Sequence, residues 1–233
     1  KVKKNIFKSD YPIFVNFYTG DNGYGKYADK MIISLNKFNL PYYIFEINSL
    51  GNKWEKICQQ KPYIILKVLN EYKNNNVVWI DADAIIEKKP ELFMNINKSF
   101  AVHYVDNKEL NSAVLFFKND NISRIIIKDW IKENNKDSNV LDQVTLGRIV
   151  NKKYKQQEYN LPKEYCSIFD KKGYDNIDRV ISQWQASREL KYNKRVEMFS
   201  QKVFINQTKI SNYKIFDFCE YNIVRNKKIN YLK

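Results

Sequence analysis

Three short apolar runs, separated by two stretches of helical periodicity, are the feature that most constrains the fold of this chain. The runs cover residues 12–18, 42–47 and 77–80, and each reads as a β-strand. Between them, residues 26–39 and 62–72 carry apolar side chains at the spacing of an amphipathic helix. The order strand, helix, strand, helix, strand is typical of α/β folds with right-handed crossovers. The sequence therefore predicts an α/β fold whose central sheet is mixed, mainly parallel and flanked by helices.

The length and composition of the chain suit one folded domain. It has 233 residues, of which 44% are hydrophobic, and neither an internal repeat nor a Pro/Gly/Ser-rich linker divides it. We therefore expect a single domain over residues 1–233. The sequence shows no apolar run of membrane-spanning length and no signal peptide. Together with three scattered cysteines, these features predict a cytoplasmic protein.

The scarcity of some residue types argues against several classes of site. His103 is the only histidine, which disfavours histidine-based triads and histidine-ligated zinc, and we expect it to have a structural role in a strand over 101–105. Only six glycines occur, in neither the G-x-G-x-x-G nor the G-x-x-x-x-G-K-[ST] pattern. A Rossmann dehydrogenase and a P-loop nucleotidase are therefore disfavoured. Trp54 and Trp79 are expected to pack in the core.

The net charge of +14 is distributed unevenly along the chain. Residues 151–233 carry 18 basic and 9 acidic side chains, whereas residues 1–150 carry 22 and 17. Only 6 of the 40 basic residues are arginine and no nucleic-acid-binding motif is present, so we expect no nucleic-acid partner. An anionic small substrate, or an anionic membrane surface beside it, suits the basic C-terminal third better.

Asp81 and Asp83 directly follow the apolar run at 77–80. Carboxylates at positions i and i+2 can leave a strand end on the same side. Two such anions would repel each other, so a cation beside them explains the pair. Oxygen ligands without a neighbouring histidine or cysteine favour Mg²⁺ or Mn²⁺. The alternative is a loop with two solvated carboxylates.

These residues carry a resemblance to a known family. The chain resembles the nucleotide-sugar-dependent glycosyltransferases of the GT-A fold, which have an Asp-x-Asp motif and occur in bacteria and large DNA viruses. The resemblance implies metal-dependent transfer of a hexose from a UDP- or GDP-sugar to a hydroxyl of a glycan, protein-linked glycan or lipid. It also implies a donor-binding half at about 10–110 and an acceptor-binding half at about 111–233. The resemblance rests on Trp54, Lys61-Pro62, Val78–Ala84, Asn111–Phe117 and Asp142-Gln143.

The resemblance also implies roles for single residues. Asp83 would bind the metal directly, with Asp81 contacting ribose or a metal-bound water. In an inverting enzyme Asp142 would be the general base that deprotonates the acceptor hydroxyl. The alternative is that Asp142 is the N-cap of a helix over Gln143–Val150. The remaining donor contacts implied by the resemblance are Thr19, Gly20, Asp21, Lys61, Asn111, Ser112, Gln143 and Lys214.

The chain departs from the family pattern in two places. Many relatives have a C-terminal histidine as a third metal ligand, whereas residues 203–214 contain none. The amide oxygen of Asn206 or Gln207, or a water molecule, would take its place. Ala113 replaces the glycine of a family Asn-Ser-Gly sequence, which leaves less room for a close approach of the backbone.

Two other functional classes remain open at this point. A phosphatase of the haloacid dehalogenase type also has Asp-x-Asp after an apolar strand, but its motif usually opens the chain, and here about 80 residues come first. A non-catalytic module that binds sugar or nucleic acid is the second alternative.

Overall fold

The computed structural model describes residues 1–49, 53–169, 171–184, 186 and 190. The helices and strands lie in the compact unit Lys1–Ala186. In chain order they are β1 (Val2–Asn5), β2 (Ile13–Thr19), α1 (Gly25–Lys37), β3 (Tyr42–Ile47), α2 (Trp54–Cys58), α3 (Lys61–Glu71), β4 (Val77–Ile80), β5 (Ala84–Ile86), β6 (Phe100–Val105), β7 (Glu109–Phe117), α4 (Asn121–Asn134), α5 (Asp142–Ile149), β8 (Glu158–Asn160), β9 (Ser167–Ile168) and β10 (Ile181–Gln183).

A seven-stranded sheet in the order β1-β3-β2-β4-β7-β6-β8 forms the centre of the fold. The three predicted strands are β2, β3 and β4, and they run parallel to one another. Strand β7 is antiparallel to both β4 and β6, while β8 is parallel to β6. The mixed α/β architecture predicted from the apolar runs is therefore confirmed.

The sheet separates two apolar layers because alternate residues of each strand face opposite sides. On one side, Ile13, Val15 and Phe17 of β2 pack with helices α3, α4 and α5. On the other side, Phe14 and Tyr18 pack with α1. Fully burying a large apolar side chain contributes about 1.5–3 kcal/mol, so these layers dominate the favourable side of the folding free energy.

A smaller three-stranded sheet, in the order β5-β10-β9, lies where the chain leaves β4. Strand β10 is antiparallel to β5, with Gln183 opposite Ala84. Strand β9 is parallel to β10. Since β5 begins one residue after Asp83, this sheet holds residues near 183 close to the predicted carboxylate pair.

Strand β7 contains an irregularity beside the same edge. In the pairing of β6 with β7, Val102 lies opposite Leu115, whereas the next residue, His103, lies opposite Asn111. The intervening residues 112–114 therefore form a bulge in β7. Bulges change the direction of side chains locally and are common next to functional sites.

The structure confirms the predicted roles of Trp79 and His103 but not that of Trp54. Trp79 is buried as expected. Trp54 is not a core residue, because it lies on α2 with much of its surface exposed and stacks on Tyr24. His103 has the predicted structural role in β6: Nδ1 lies 2.9 Å from the carbonyl oxygen of Leu161 and Nε2 lies 2.6 Å from the hydroxyl of Tyr174. Within the described residues, no helix has both the length and the apolar character needed to cross a membrane.

Candidate functional site

Asp81 and Asp83 lie at the carboxyl end of β4, where ligands of open α/β sheets bind. The backbone N–H of Asp81 donates to the carbonyl of Ala113, which fixes the turn against β7. Asp81 Oδ1 accepts a hydrogen bond of 2.8 Å from Trp79 Nε1 and lies 3.3 Å from Lys61 Nζ. The carboxylate of Asp81 is therefore held in one orientation by residues of β4 and α3.

Lys61 is the centre of a buried polar cluster. Its ammonium group lies 3.2 Å from Asp142 Oδ2, and the side chains of both residues are only 5% exposed. It also donates to the backbone carbonyl and to the hydroxyl of Ser112, at 2.9 and 3.1 Å. The bulge in β7 contains Ser112, so this irregularity supplies the oxygen atoms that complete the shell around the lysine.

The charges of this cluster determine its protonation. Burial alone would lower the pKa of Lys61, but the neighbouring Asp142 and Asp81 outweigh it and leave that pKa above the ordinary lysine value. Burial raises the pKa of Asp142, and the charge of Lys61 opposes that rise. Asp81 and Asp142 therefore share one ammonium group, and Asp83 lies two residues after Asp81. An additional cation at this edge would therefore be attracted.

Asp83 is linked to the residues that follow β10. Its Oδ2 accepts a hydrogen bond of 2.6 Å from the backbone of Ala186, and its carbonyl accepts one of 3.3 Å from the backbone of Trp184. The negative charges of Asp83 and Asp81 also reach Tyr24, whose pKa is raised first by burial and then by these charges. Tyr24 therefore keeps its hydroxyl proton and can donate it in a hydrogen bond. Sequence patterns gave no signal for Tyr24.

The predicted donor loop, Thr19-Gly20-Asp21, begins at the last residue of β2, which is the direct neighbour of β4 in the sheet. Thr19 is buried at the end of the strand. Asp21 binds the loop after β3: its carboxylate accepts from the hydroxyl of Ser49 at 2.5 Å and from the Ser49 backbone at 3.1 Å. These hydrogen bonds, led by the one from the hydroxyl, lower the pKa of Asp21. Asp21 therefore joins two loops at the same edge as Asp81.

The other predicted donor contacts lie in different surroundings, some at the bulge or in the buried cluster and one at the surface. Asn111 Oδ1 accepts a 2.8 Å hydrogen bond from the backbone of Ala113, within the bulge. Gln143 Nε2 donates to Glu109 Oε1 at 2.8 Å, at the surface. Ser112 and Lys61 join the cluster described above, whereas Lys214, Asn206 and Gln207 lie outside the described residues.

Asp142 is the first residue of α5, and Leu141 occupies the N-cap position. Its side chain forms the ion pair with Lys61, and its carbonyl accepts a 2.9 Å hydrogen bond from Trp130 Nε1. The carboxylate therefore does not have the geometry of a helix cap. A sequence pattern cannot distinguish a capping aspartate from this one, because both precede an amphipathic helix.

The donor set at this edge fits a magnesium or manganese ion. Such ions commonly take one or two carboxylates and complete their shell with water and substrate phosphates. Within the described residues, no cluster of three or more His, Cys, Asp or Glu side chains could hold a metal. Gln183, opposite Ala84, is 1% exposed, and neither of its amide atoms has a hydrogen-bond partner among the residues that the structure describes. A buried amide without partners is costly, and a bound group next to β5 would satisfy it.

Several solved structures with the same fold are glycosyltransferases. One is a glycosyltransferase involved in glycosylation of the major capsid of PBCV-1, with 12% identity, a TM-score of 0.63, and coverage of 81% of this chain and 99% of that chain. GlyE of Streptococcus pneumoniae TIGR4 has 15% identity, a TM-score of 0.54, and coverage of 74% of this chain and 54% of that chain. The galactosyltransferase LgtC, solved with donor and acceptor sugar analogues, has 11% identity, a TM-score of 0.51, and coverage of 74% and 87%.

No curated protein sequence matches the chain significantly. The sequence profile of the nucleotide-diphospho-sugar transferases, in contrast, matches residues 35–231, which is most of the chain. The match includes β3, the helix that begins at Lys61, the carboxylates after β4 and the start of α5. It confirms the resemblance drawn from the sequence and favours sugar transfer over a phosphatase or a non-catalytic binding module. The chain therefore belongs to the nucleotide-diphospho-sugar transferase family.

Proposed function

We propose that this protein transfers a hexose from a UDP- or GDP-sugar to a hydroxyl of a glycan, protein-linked glycan or lipid, with Mn²⁺ or Mg²⁺ bound at Asp83 and Asp81. The observation that carries this proposal is the edge after β4, where Asp81 and Asp142 share the ammonium group of Lys61 and Asp83 follows two residues after Asp81. When bound, a divalent ion would neutralise the donor diphosphate and make it a better leaving group.

The chain's own residues would orient the donor around this edge. Asp81 is already fixed by Trp79 and Lys61, which suits an indirect role toward ribose or a metal-bound water. The loop at 19–21 would hold the nucleoside, as the resemblance implies, because it leaves the neighbouring strand. Ser112, Asn111 and Gln143 would contact the sugar, and Lys214 the diphosphate.

Asp142 is the proposed general base for an acceptor hydroxyl. A base must be deprotonated before the reaction, and the ammonium group of Lys61, 3.2 Å away, favours that form against the effect of burial. A change in this ion pair when donor and acceptor bind would give the carboxylate access to the hydroxyl proton. This role requires transfer with inversion at the anomeric carbon.

Differential scanning fluorimetry with Mn²⁺ and UDP or GDP tests the metal site. A ligand present at 100 times its Kd stabilises a folded protein by about 2.7 kcal/mol, so the wild-type melting temperature should rise. Asp83→Asn keeps the size of the side chain and removes its charge, so the part of the rise that depends on Mn²⁺ should disappear. Asp81→Asn should lose a smaller part of the Mn²⁺-dependent rise in melting temperature, since the proposed role of Asp81 is indirect.

Asp29→Asn provides the matched control, because Asp29 forms an exposed ion pair with Lys3 away from β4. This variant should bind nucleotide and metal like the wild type. An Asp83→Asn protein that retains the full Mn²⁺-dependent shift, or sugar transfer that continues in EDTA, would refute the metal assignment.

A further inference from the structure

Phe169 and Trp184 form a pair of stacked and exposed aromatic rings. Phe169 is 47% exposed and Trp184 is 44% exposed. Their ring centroids lie 4.6 Å apart, with an angle of 24° between the planes. We call these two side chains the aromatic platform. Single exposed apolar residues are common on proteins, but two large rings in contact make a continuous apolar patch.

The backbone ties this platform to the carboxylate edge. Phe169 directly follows β9, and its N–H donates to the carbonyl of Gln183 at 3.1 Å. Trp184 directly follows β10, and its N–H donates to the carbonyl of Asp83 at 3.3 Å. The backbone of Trp184 therefore lies next to the proposed metal ligand, at the end of the smaller sheet, whereas the proposed nucleoside loop leaves β2 in the larger sheet.

The chemistry of the platform suits a sugar ring. Aromatic faces carry partial negative charge, so they attract the weakly positive C–H groups on the apolar face of a pyranose. Neither ring adds a charge that would compete with the diphosphate for the metal. A transferase must hold the acceptor beside the anomeric carbon of the donor, and a backbone hydrogen bond joins the platform residue Trp184 to Asp83, where the diphosphate would be neutralised.

We propose that the aromatic platform binds a pyranose ring of a glycan acceptor, which selects glycan over protein or lipid for the transfer proposed above. In that transfer a bond forms between the acceptor hydroxyl oxygen and the anomeric carbon of the donor. The bond from that carbon to the diphosphate oxygen breaks, and the hydroxyl proton goes to a base. The platform takes no part in these steps beyond positioning the acceptor.

Saturation-transfer NMR with a panel of methyl pyranosides tests the platform without any donor. Wild-type protein should bind at least one pyranoside, and Trp184→Ala and Phe169→Ala should each weaken that binding about tenfold, as expected for loss of a stacked aromatic contact. Trp184→Phe should restore most of the binding. Tyr63→Ala is the matched control, since Tyr63 is similarly exposed but its hydroxyl donates to Asn135, the residue that follows α4.

Enzymatic readouts separate this inference from the proposed function on which it rests. In Trp184→Ala, hydrolysis of the donor sugar to water and binding of UDP or GDP should persist, while transfer to the pyranoside falls about tenfold. Loss of nucleotide binding in this variant would make the platform a base-binding surface and overturn the inference. Wild-type protein that binds no pyranoside, or variants that bind it unchanged, would also overturn it. If wild-type protein neither binds nucleotide nor hydrolyses donor, the proposed function fails, while the NMR result still decides the platform.

Discussion

At the scale of single residues, the ammonium group of Lys61 organises the candidate site. It contacts carboxylates from two elements and two oxygens of Ser112, although it is almost fully buried. Removing one partner of a buried ion pair leaves an uncompensated charge and commonly costs about 3–5 kcal/mol. The cluster therefore fixes the positions of Asp81 and Asp142 relative to each other.

Asp142→Asn tests the proposed base. If Asp142 removes the acceptor proton, this variant should lower kcat by about 10²–10⁴, since an amide cannot accept that proton. The Kd for nucleoside diphosphate should stay near the wild-type value, because the proposed contacts to metal and diphosphate remain. Steady-state kinetics and calorimetry provide the two measurements.

The stereochemistry of the product gives the second half of this test. NMR of the product should show inversion at the anomeric carbon. Retention, or a kcat of Asp142→Asn close to that of wild type, would limit Asp142 to holding Lys61.

The sequence predicted part of this residue-scale arrangement. The position of Asp81 and Asp83 followed from the apolar run before them, because the residues after a buried strand emerge at the sheet edge. The burial of Lys61 could not be predicted, since it depends on partners 20, 51 and 81 residues away along the chain. A lysine at the start of an amphipathic helix is usually solvated, and only the tertiary structure shows otherwise.

At the scale of elements, the pairing of β10 with β5 brings Gln183 next to the edge where we propose that the metal binds. Gln183→Met removes a buried amide without partners, so in the absence of ligands it should stabilise the protein by about 1–3 kcal/mol. The stabilisation by Mn²⁺ and UDP or GDP should be smaller in this variant. Urea denaturation with and without these ligands measures both effects.

Gln59→Met is the control for this prediction. Gln59 is also buried, but its amide nitrogen donates to the carbonyls of Asp137 and Val140 at 2.9 and 2.8 Å. The same substitution should therefore destabilise the protein there. If Gln183→Met also destabilises the ligand-free protein, its amide has partners in solution and the interpretation is wrong.

The single histidine allows a pH test at the same scale. Burial lowers the pKa of His103 below its ordinary value of 6.5, so the unfolded chain takes up this proton at a higher pH than the folded protein does. The contribution to stability is complete above pH 6.5 and is lost as the pH falls toward the lower, folded-state pKa. The free energy of unfolding therefore changes by at most about 1.4 kcal/mol per pH unit through this group.

Urea midpoints measured between pH 5 and pH 7.5 give this pH dependence. Ordinary carboxylates titrate at about pH 4, so they contribute little within that range. His103→Gln removes the group, so the difference between wild type and variant should shrink as the pH falls below 6.5. A difference that stays constant across the range would show that the ring has the same pKa in both states.

The strands and helices were easier to predict than their pairing. Strands β2, β3 and β4 and helices α1 and α3 lie within one or two residues of the sequence predictions, because each has a clear apolar period. The antiparallel insertion of β7 between β4 and β6 had no such signal. The bulge at 112–114 and the pairing of β10 also had no signal in the sequence, because both depend on the register between strands rather than on composition.

At the scale of the whole molecule, the net charge of +14 suits an anionic donor. The excess is largest over residues 151–233, with 18 basic and 9 acidic side chains, a difference of nine. Positive charge of this kind raises the rate of encounter with a nucleoside diphosphate and is screened by salt. We therefore expect the Kd for UDP or GDP to increase with ionic strength.

Lys214→Ala tests the predicted attraction of nucleoside diphosphate at one of these basic residues. Loss of one charge-assisted hydrogen bond to the diphosphate should raise the Kd about tenfold and reduce its dependence on salt. Lys136→Ala is the control, because Lys136 is an exposed side chain just after α4 that pairs with Glu133 of that helix. An unchanged Kd in Lys214→Ala would assign the excess charge to the acceptor or to a membrane surface.

The distribution of the Lys61 cluster along the chain has a consequence for biosynthesis. Its members come from α3, the end of β4, the bulge of β7 and the first turn of α5. A nascent chain still attached to the ribosome would leave Lys61 without its second carboxylate until Asp142 has emerged. Nucleotide capture by stalled chains of increasing length should therefore begin only after α5 is free to dock, so the onset of binding would mark completion of this part of the fold.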